Sequence, residues 1–378
     1  MNILTSDWEV TTSNKGNPFD QTNKAVCLGL KDNNEDAWCD FTLDSPIQNY
    51  CNPDVWDLYV FFNAKFDLHW YRRVGFKLPN KIWCCQVAEF LLSGQKQRYP
   101  SLEATAEAYG LGHKIDVVKE EFWNKGVDTD AIPQDILSEY CKQDVDLTYK
   151  IYLEQLKQFE AQPKLYKLFK LMCQDLLVLE EMEWNGLVYD KQLCEERSIN
   201  IGKEIAAIQE QLHHVYPELA INFGSGDQLS AWLYGGSIYS EDKEHIGFFK
   251  SGAKVGQPKF KNVIRETVLP RLVEPLKNSE LKKEGYYATD EATLQKLKGP
   301  AAKKYVGPLL KLAELQKLDS TYYKGLPKKA KEMNWPEGKI HGQFNQVTAQ
   351  TGRLSSSQPN LQNFAGTCLD IFVSRYGD

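Results

Sequence analysis

The sequence predicts an α/β domain built on a mixed sheet, followed by a mainly α-helical region. Three observations carry that prediction. Over residues 1–150, strand-length apolar runs alternate with helical patterns. A long amphipathic pattern, PQDILSEYCKQDVDLTYKIYLEQLKQFEA, opens at Pro133, where proline suits the first turn of a helix. From Leu165 onward helical periodicity dominates.

In order, MNILTSDWEV reads as a short strand and KAVCLGLKD as its partner, after the turn chemistry of GNPFD. WDLYVFFNA is a buried strand, and SLEATAEAYGLG has helical spacing with a glycine stop. The long helix follows from Pro133. Two helical patterns then run from Leu165 to about His214, broken at WNGLVYD, which suits a cap at Gly186 and a short extended piece. INFGSGDQLSAWLYGG is a loop and then a helix. KSGAKVGQPKFKN, basic and without periodicity, reads as an exposed flexible loop. YYATDEATLQKL and AAKKYVGPLLKLAELQKLDSTYYKGL return to helix.

The 378 residues are 42% hydrophobic and 25% charged, an ordinary soluble composition with room for two or three domains. Stretches such as LYVFF are too short to span a bilayer, and the first twenty residues lack a signal-peptide pattern, so a cytoplasmic location is expected, in a bacterial cell or a phage-infected host. Nine cysteines without C-x-x-C spacing read as reduced thiols rather than a structural zinc site. The net charge of −6 hides an asymmetry: residues 1–150 carry 15 Lys+Arg against 23 Asp+Glu, residues 241–340 carry 21 against 13. An acidic part joined to a basic part suits cation binding in one and polyanion binding in the other; solvated surface charge explains it equally well.

Acidic chemistry sits on the first elements. Asp7 and Glu9, at i and i+2 on a strand, point to one face. Asp67 follows the buried strand, four residues after Asn63. Tyr140 and Asp144 lie one turn apart on the long helix. Each is a weak signal alone. If the four carboxylates converge, each pair about 4 Å apart costs roughly 1 kcal/mol in water and roughly 4 near a protein surface. Cations must then sit between them, and hard oxygen ligands suit Mg²⁺ or Mn²⁺. Two such ions roughly 3.5–4 Å apart serve in-line attack on a phosphodiester, with Tyr140 placed to orient the attacking water.

SDWEV, NAKFD and YCKQD resemble, in order and context, the three motifs of the DEDDy 3′→5′ exonucleases. The resemblance covers residues 1–155 and implies a ribonuclease H-like fold. It makes Asp7, Glu9, Asp67 and Asp144 metal ligands, Tyr140 the water-positioning residue, and Asn63 a holder of the substrate strand. Cys84-Cys85 stands where relatives often have Asp-Thr, which implies altered local hydrogen bonding with activity retained.

The later segments LVLEEMEWNGLVYD, NFGSGDQLSAWL, GYYATDEATL and KLDSTYYKGL are similar to family A DNA polymerases, the bacterial DNA polymerase I class. That resemblance implies a thumb and adjoining helices over 161–340, with Ser225, Gln228, Ser320, Thr321 and Tyr322 as candidate phosphate contacts. HGQFNQVTAQTGRLSSSQPNLQN resembles the family segment that lies against the newest base pairs, an incomplete palm segment over 341–378. A polymerase must read what all base pairs share, and minor-groove acceptors are shared. Arg353, Asn360, Gln362 and Asn363 supply donors for them; Thr351, Ser355 and Ser356 serve phosphates or local turns. No segment here resembles the D-Y-S-Q-x-E metal-ligand strand, and Asp370 and Asp378 lack that context.

The expectation is therefore a DNA-replicating family A polymerase's proofreading exonuclease (1–160) with DNA-binding regions, in a split or truncated enzyme. Its partners would be single-stranded 3′ ends, primer–template DNA, and a second polypeptide carrying the missing palm and fingers. A stand-alone RNA-processing exonuclease and a non-catalytic DNA-binding subunit remain as alternatives.

Overall fold

The computed structural model describes residues 1–112, 117–252 and 254–374. The chain divides into two compact units, 1–191 with 326–378, and 192–325.

The first unit is built on a five-stranded sheet of β1 (Ile3–Val10), β2 (Ala25–Asp32), β3 (Trp38–Asp40), β4 (Leu58–Phe61) and β5 (Ile82–Cys84), in the order β3-β2-β1-β4-β5. β1 runs antiparallel to β2 and parallel to β4, so the sheet is mixed, as the sequence predicts. Its helices are α1 (Ser45–Tyr50), α2 (Ala64–Val74), α3 (Cys85–Leu92), α4 (Leu102–Ala108), α5 (Val117–Glu121), α6 (Gln134–Glu160) and α7 (Pro163–Asn185). α6 starts where Pro133 dictates, with Pro133 at its N-cap. β4 is buried because it lies inside the sheet, and with Leu4, Trp70, Trp83, Phe90 and Ile151 it forms the main core.

The boundary expected at residue 160 falls inside this unit. Phe169, Cys173 and Leu176 of α7 belong to the same core as the sheet, so α7 cannot leave without exposing them. Two side chains of α7 also hold α2. Glu180 accepts from Arg72 Nε and Nη2 at 2.9 and 2.8 Å, and His69 Nδ1 lies 3.1 Å from it. Glu183 accepts from Lys65 Nζ at 2.7 Å and from the Phe344 amide at 2.5 Å, and lies 3.0 Å from His69 Nε2. Burial pushes both carboxyls up, but His69 and its basic neighbours outweigh it and hold them below their usual range. α7 ends at Gly186, whose φ is +62°. A β-carbon there would stand 2.7 Å from the Ile340 carbonyl oxygen, so conformation and contact both require glycine. β6 (Leu187–Tyr189) follows.

The second unit holds α8 (Lys191–His213), α9 (Gly226–Tyr234), β7 (Gly236–Phe248), β8 (Pro258–Leu269), α10 (Glu291–Leu294) and α11 (Pro300–Leu318). Its core gathers Trp232, Leu233, Val306, Leu309 and Leu312. Of the expected exposed loop, the described residues of 250–257 form the turn of a long antiparallel β7–β8 hairpin, with Ala253 outside the described residues, whereas residues 258–262 are instead the start of β8. Most of the hairpin is exposed on both faces, so it has no buried stripe to impose alternation on its sequence. After a π-helical turn at Asp319–Tyr323 comes α12 (Gly325–Glu332).

The chain then returns to the first unit as β9 (Lys339–Ile340), β10 (Gln343–Asn345), β11 (Ser355–Ser357) and β12 (Phe372–Val373). β6 pairs with β9 and β12, and β10 with β11. Among the described residues no helix is long and apolar enough to cross a membrane.

Candidate functional site

β1 is the middle strand of the sheet and carries Asp7 and Glu9 on one face, opposite Gly29 and Cys27 of β2. A register shift between Glu9 and Val10 breaks the ladder beside them, a common feature next to functional sites. α6 supplies Asp144, which is buried. Carboxylate oxygens of Asp7, Glu9 and Asp144 lie within 4.8 Å of one another.

α6 can come this close because Gly29 has no side chain. A β-carbon there would stand 2.6 Å from Cys141 Sγ and 3.0 Å from Val145 Cγ1. Glycine is therefore required at this position by contact alone, and it brings Asp144 down to the strand that bears the other two acids.

Asp67 occupies the first turn of α2, behind its exposed N-cap Asn63. It does not join the group of three; it lies close enough to Asp7 to feel its charge. Burial, and then the Asp7 charge, push its carboxyl well above the ordinary range, while a backbone hydrogen bond from Trp8 works the other way. Its Oδ1 is buried with no hydrogen-bond partner among the described residues. A sealed carboxylate oxygen without a partner, beside three converging carboxylates, fits a set of hard oxygen ligands for divalent cations.

Tyr140 is half-buried one turn before Asp144, its ring edge-on to Trp123 at 5.8 Å. It lines an open recess with Val117, Val118, Glu139 and Gln143. Asn63 lines a separate cleft of about 210 Å³ with Lys65, Gln86, Tyr99, Gln343, Asn345 and Gln346. Sequence reasoning missed these polar neighbours, because the cleft joins α2 and α3 to residues nearly three hundred positions away. Cys84 and Cys85 are buried, their sulfurs set toward the Phe62 and Thr148 carbonyls at 3.6 and 3.8 Å.

The candidate DNA contacts fall on both units. In the second, Ser225 caps α9 by accepting from the Gln228 amide, and the Gln228 side chain accepts from the Asn222 amide at 2.8 Å. Both oxygens are thus engaged locally. Ser320 and Thr321 are exposed on the π-helical turn. Tyr322, on the same turn, is buried at 6% exposure. In the first unit Thr351, Arg353, Asn360, Gln362 and Asn363 are all exposed. Asn360 accepts from the Gln362 amide, and Ser356 is buried and accepts from the Leu361 amide, the turn role open to it. Asp370 is exposed, and Asp378 lies outside the described residues.

A mixed five-stranded sheet with flanking helices, bearing this acidic group, defines a ribonuclease H-like exonuclease domain. A family model described as 3'-5' exonuclease matches residues 17–160, and one described as DNA polymerase family A matches residues 264–370. The chain thus carries a 3'-5' exonuclease domain and part of a family A DNA polymerase domain, each where its model matches.

It is 28% identical over 305 residues to DNA polymerase I of Synechocystis sp., covering 80% of this chain and 26% of that protein. With the DNA polymerase of Bacillus phage SP01 it shares 24% identity over 321 residues, 81% of this chain and 34% of the relative. It thus spans between 26% and 34% of the length of these two relatives. The solved POL domain of Pol1 from M. smegmatis, in complex with DNA primer-template and dNTP, has the same fold. The TM-score is 0.67 at 19% identity, over 98% of this chain and 55% of the other.

Proposed function

We propose that this chain hydrolyses nucleotides from DNA 3′ ends and is the proofreading, DNA-holding part of a family A polymerase. The observation that carries the reading is the convergence of Asp7, Glu9 and Asp144 from a central strand and a covering helix. Like charges are not gathered in a half-buried place without a counter-charge.

In this reading Asp7, Glu9, Asp67 and Asp144 hold two Mg²⁺ or Mn²⁺ ions. Such ions, when bound, supply an activated water and stabilise the leaving oxygen. Asp67 gives up its proton to join them. Tyr140 orients the attacking water through its hydroxyl, and Asn63, exposed at the mouth of its cleft, holds the terminal nucleotide. Residues 161–340 supply the thumb and adjoining helices, with Ser225, Gln228, Ser320 and Thr321 toward phosphates. In 341–378, Thr351 faces the backbone while Arg353, Asn360, Gln362 and Asn363 face the minor groove. Sequence-independent contacts of this kind make binding steeply salt-dependent. Nucleotide addition requires palm and fingers segments supplied by a second polypeptide or by further sequence of the same one.

The test is Mg²⁺-dependent degradation of 3′-ended single-stranded DNA by the wild type and by a folded Asp7→Ala, Glu9→Ala variant. Loss of degradation in the variant is expected. Degradation that persists in it refutes the assignment. A rate on RNA above that on DNA would replace proofreading with RNA processing.

A further inference from the structure

Beside the acidic group lies a second convergence of ligand atoms that the proposed nuclease does not use. Cys27 on β2, Cys39 on β3 and Cys141 on α6 bring their three Sγ atoms within 4.8 Å of one another. All three are free thiols. Strand register makes the meeting possible. Cys39 pairs with Gly29, two residues along from Cys27, so both strand cysteines point to the same face of the sheet. α6 descends on that face at Gly29, where the missing side chain admits Cys141 Sγ. Cys27 and Cys141 are fully buried; Cys39 is half-buried and gives the group its access to solvent.

We propose that Cys27, Cys39 and Cys141 form a site for one thiophilic cation of the Zn²⁺ class, separate from the carboxylate pocket. Sulfur ligands select soft and borderline ions, as carboxylates select Mg²⁺ and Mn²⁺. Three sulfurs at the Zn–S distance from a common centre lie roughly 3.8–4.0 Å apart. The observed spacing allows that arrangement with small side-chain rotations, and water completes the coordination on the Cys39 side. Each thiol that becomes a ligand releases its proton to solvent, and no electron is transferred. The bound ion would clip β2 and β3 to α6, the helix that carries Asp144. Sequence spacing conceals the site because each cysteine comes from a different element.

The test uses the full chain, reduced and washed with EDTA, titrated with Cd²⁺ while thiolate-to-metal charge-transfer absorption is followed, and then with competing Zn²⁺. One equivalent of Cd²⁺ is expected to produce the absorption, and Zn²⁺ to displace it. An Asp7→Ala variant should titrate like the wild type, since the absorption reports sulfur and not carboxylate. Cys39→Ser, at the solvent side and so tolerant of folding, should weaken Cd²⁺ binding at least about tenfold. Absence of the absorption at saturating Cd²⁺ overturns the proposal. So does a titration unchanged in Cys39→Ser, because it would place the ion on other cysteines.

Discussion

Replacing Gly29 with alanine tests how α6 is seated on the sheet. The new methyl carbon would stand 2.6 Å from Cys141 Sγ, 3.0 Å from Val145 Cγ1 and 3.2 Å from the Cys141 carbonyl oxygen. Ordinary carbon contacts lie at about 3.5–4.0 Å, so something must retreat by about 1 Å. Cys141 Sγ, the end of a side chain, can take most of that by rotating, whereas the carbonyl belongs to the helix backbone and must give by a few tenths of an ångström, so a smaller shift falls on α6. Overpacking of this kind costs about 1–3 kcal/mol. Asp144 lies one turn further along the same helix and moves with it, away from Asp7 and Glu9. A displacement of about 1 Å in a reacting constellation costs on the order of a hundredfold in rate, so this smaller shift should cost roughly several-fold.

Equilibrium denaturation and Mg²⁺-dependent degradation of single-stranded DNA read the two effects separately. Gly202→Ala in α8 is the control, because among the described residues no atom beyond the helix's own adjoining backbone lies within 4 Å of a β-carbon there. It should leave the rate unchanged and raise stability by up to roughly 1 kcal/mol. Wild-type stability and wild-type rate in Gly29→Ala would refute the seating of α6 described here.

Two further predictions concern buried acids. Asp67 binds its proton more tightly folded than unfolded, so the metal-free protein should lose stability as pH rises above 3.8 toward the raised value. Asp67→Asn should remove that loss, making the metal-free variant the more stable at neutral pH while Mg²⁺ no longer stabilises it. Denaturation in EDTA and in Mg²⁺ checks this, and equal metal-free stabilities at neutral pH would contradict it. Glu183→Ala leaves Lys65 and His69 facing an emptied site and should cost roughly 3–5 kcal/mol. Because the Glu183 carboxyl is held below 4.5, its contribution is present above that pH and lost as pH falls. The variant's stability curve should therefore be flatter in acid, and an unchanged acid limb would count against the network.

Much of the first unit was legible because its signals are local. β1, β2 and β4 are short runs flanked by turn residues, and Pro133 marks the start of α6. The shared face of Asp7 and Glu9 follows from strand parity alone, and the motif resemblance joined them to Asp144. What stayed hidden depends on contacts distant in sequence. The Glu183 bond to the Phe344 amide, which ties the returning chain to the first unit, leaves no periodic trace. The β7–β8 hairpin was missed because its faces are solvated, and the burial of Tyr322 because a helical position alone does not say which way a ring turns. The three thiols escaped notice since their meeting depends on register and on Gly29.

The central claim is that acids drawn from β1, α2 and α6 share one pocket for divalent cations. Anomalous diffraction from crystals of the chain soaked in Mn²⁺ tests it most directly. Two peaks about 3.5–4 Å apart are expected among Asp7, Glu9, Asp67 and Asp144. Ordered manganese found only elsewhere, with none bound by Asp7 and Asp67, would contradict it.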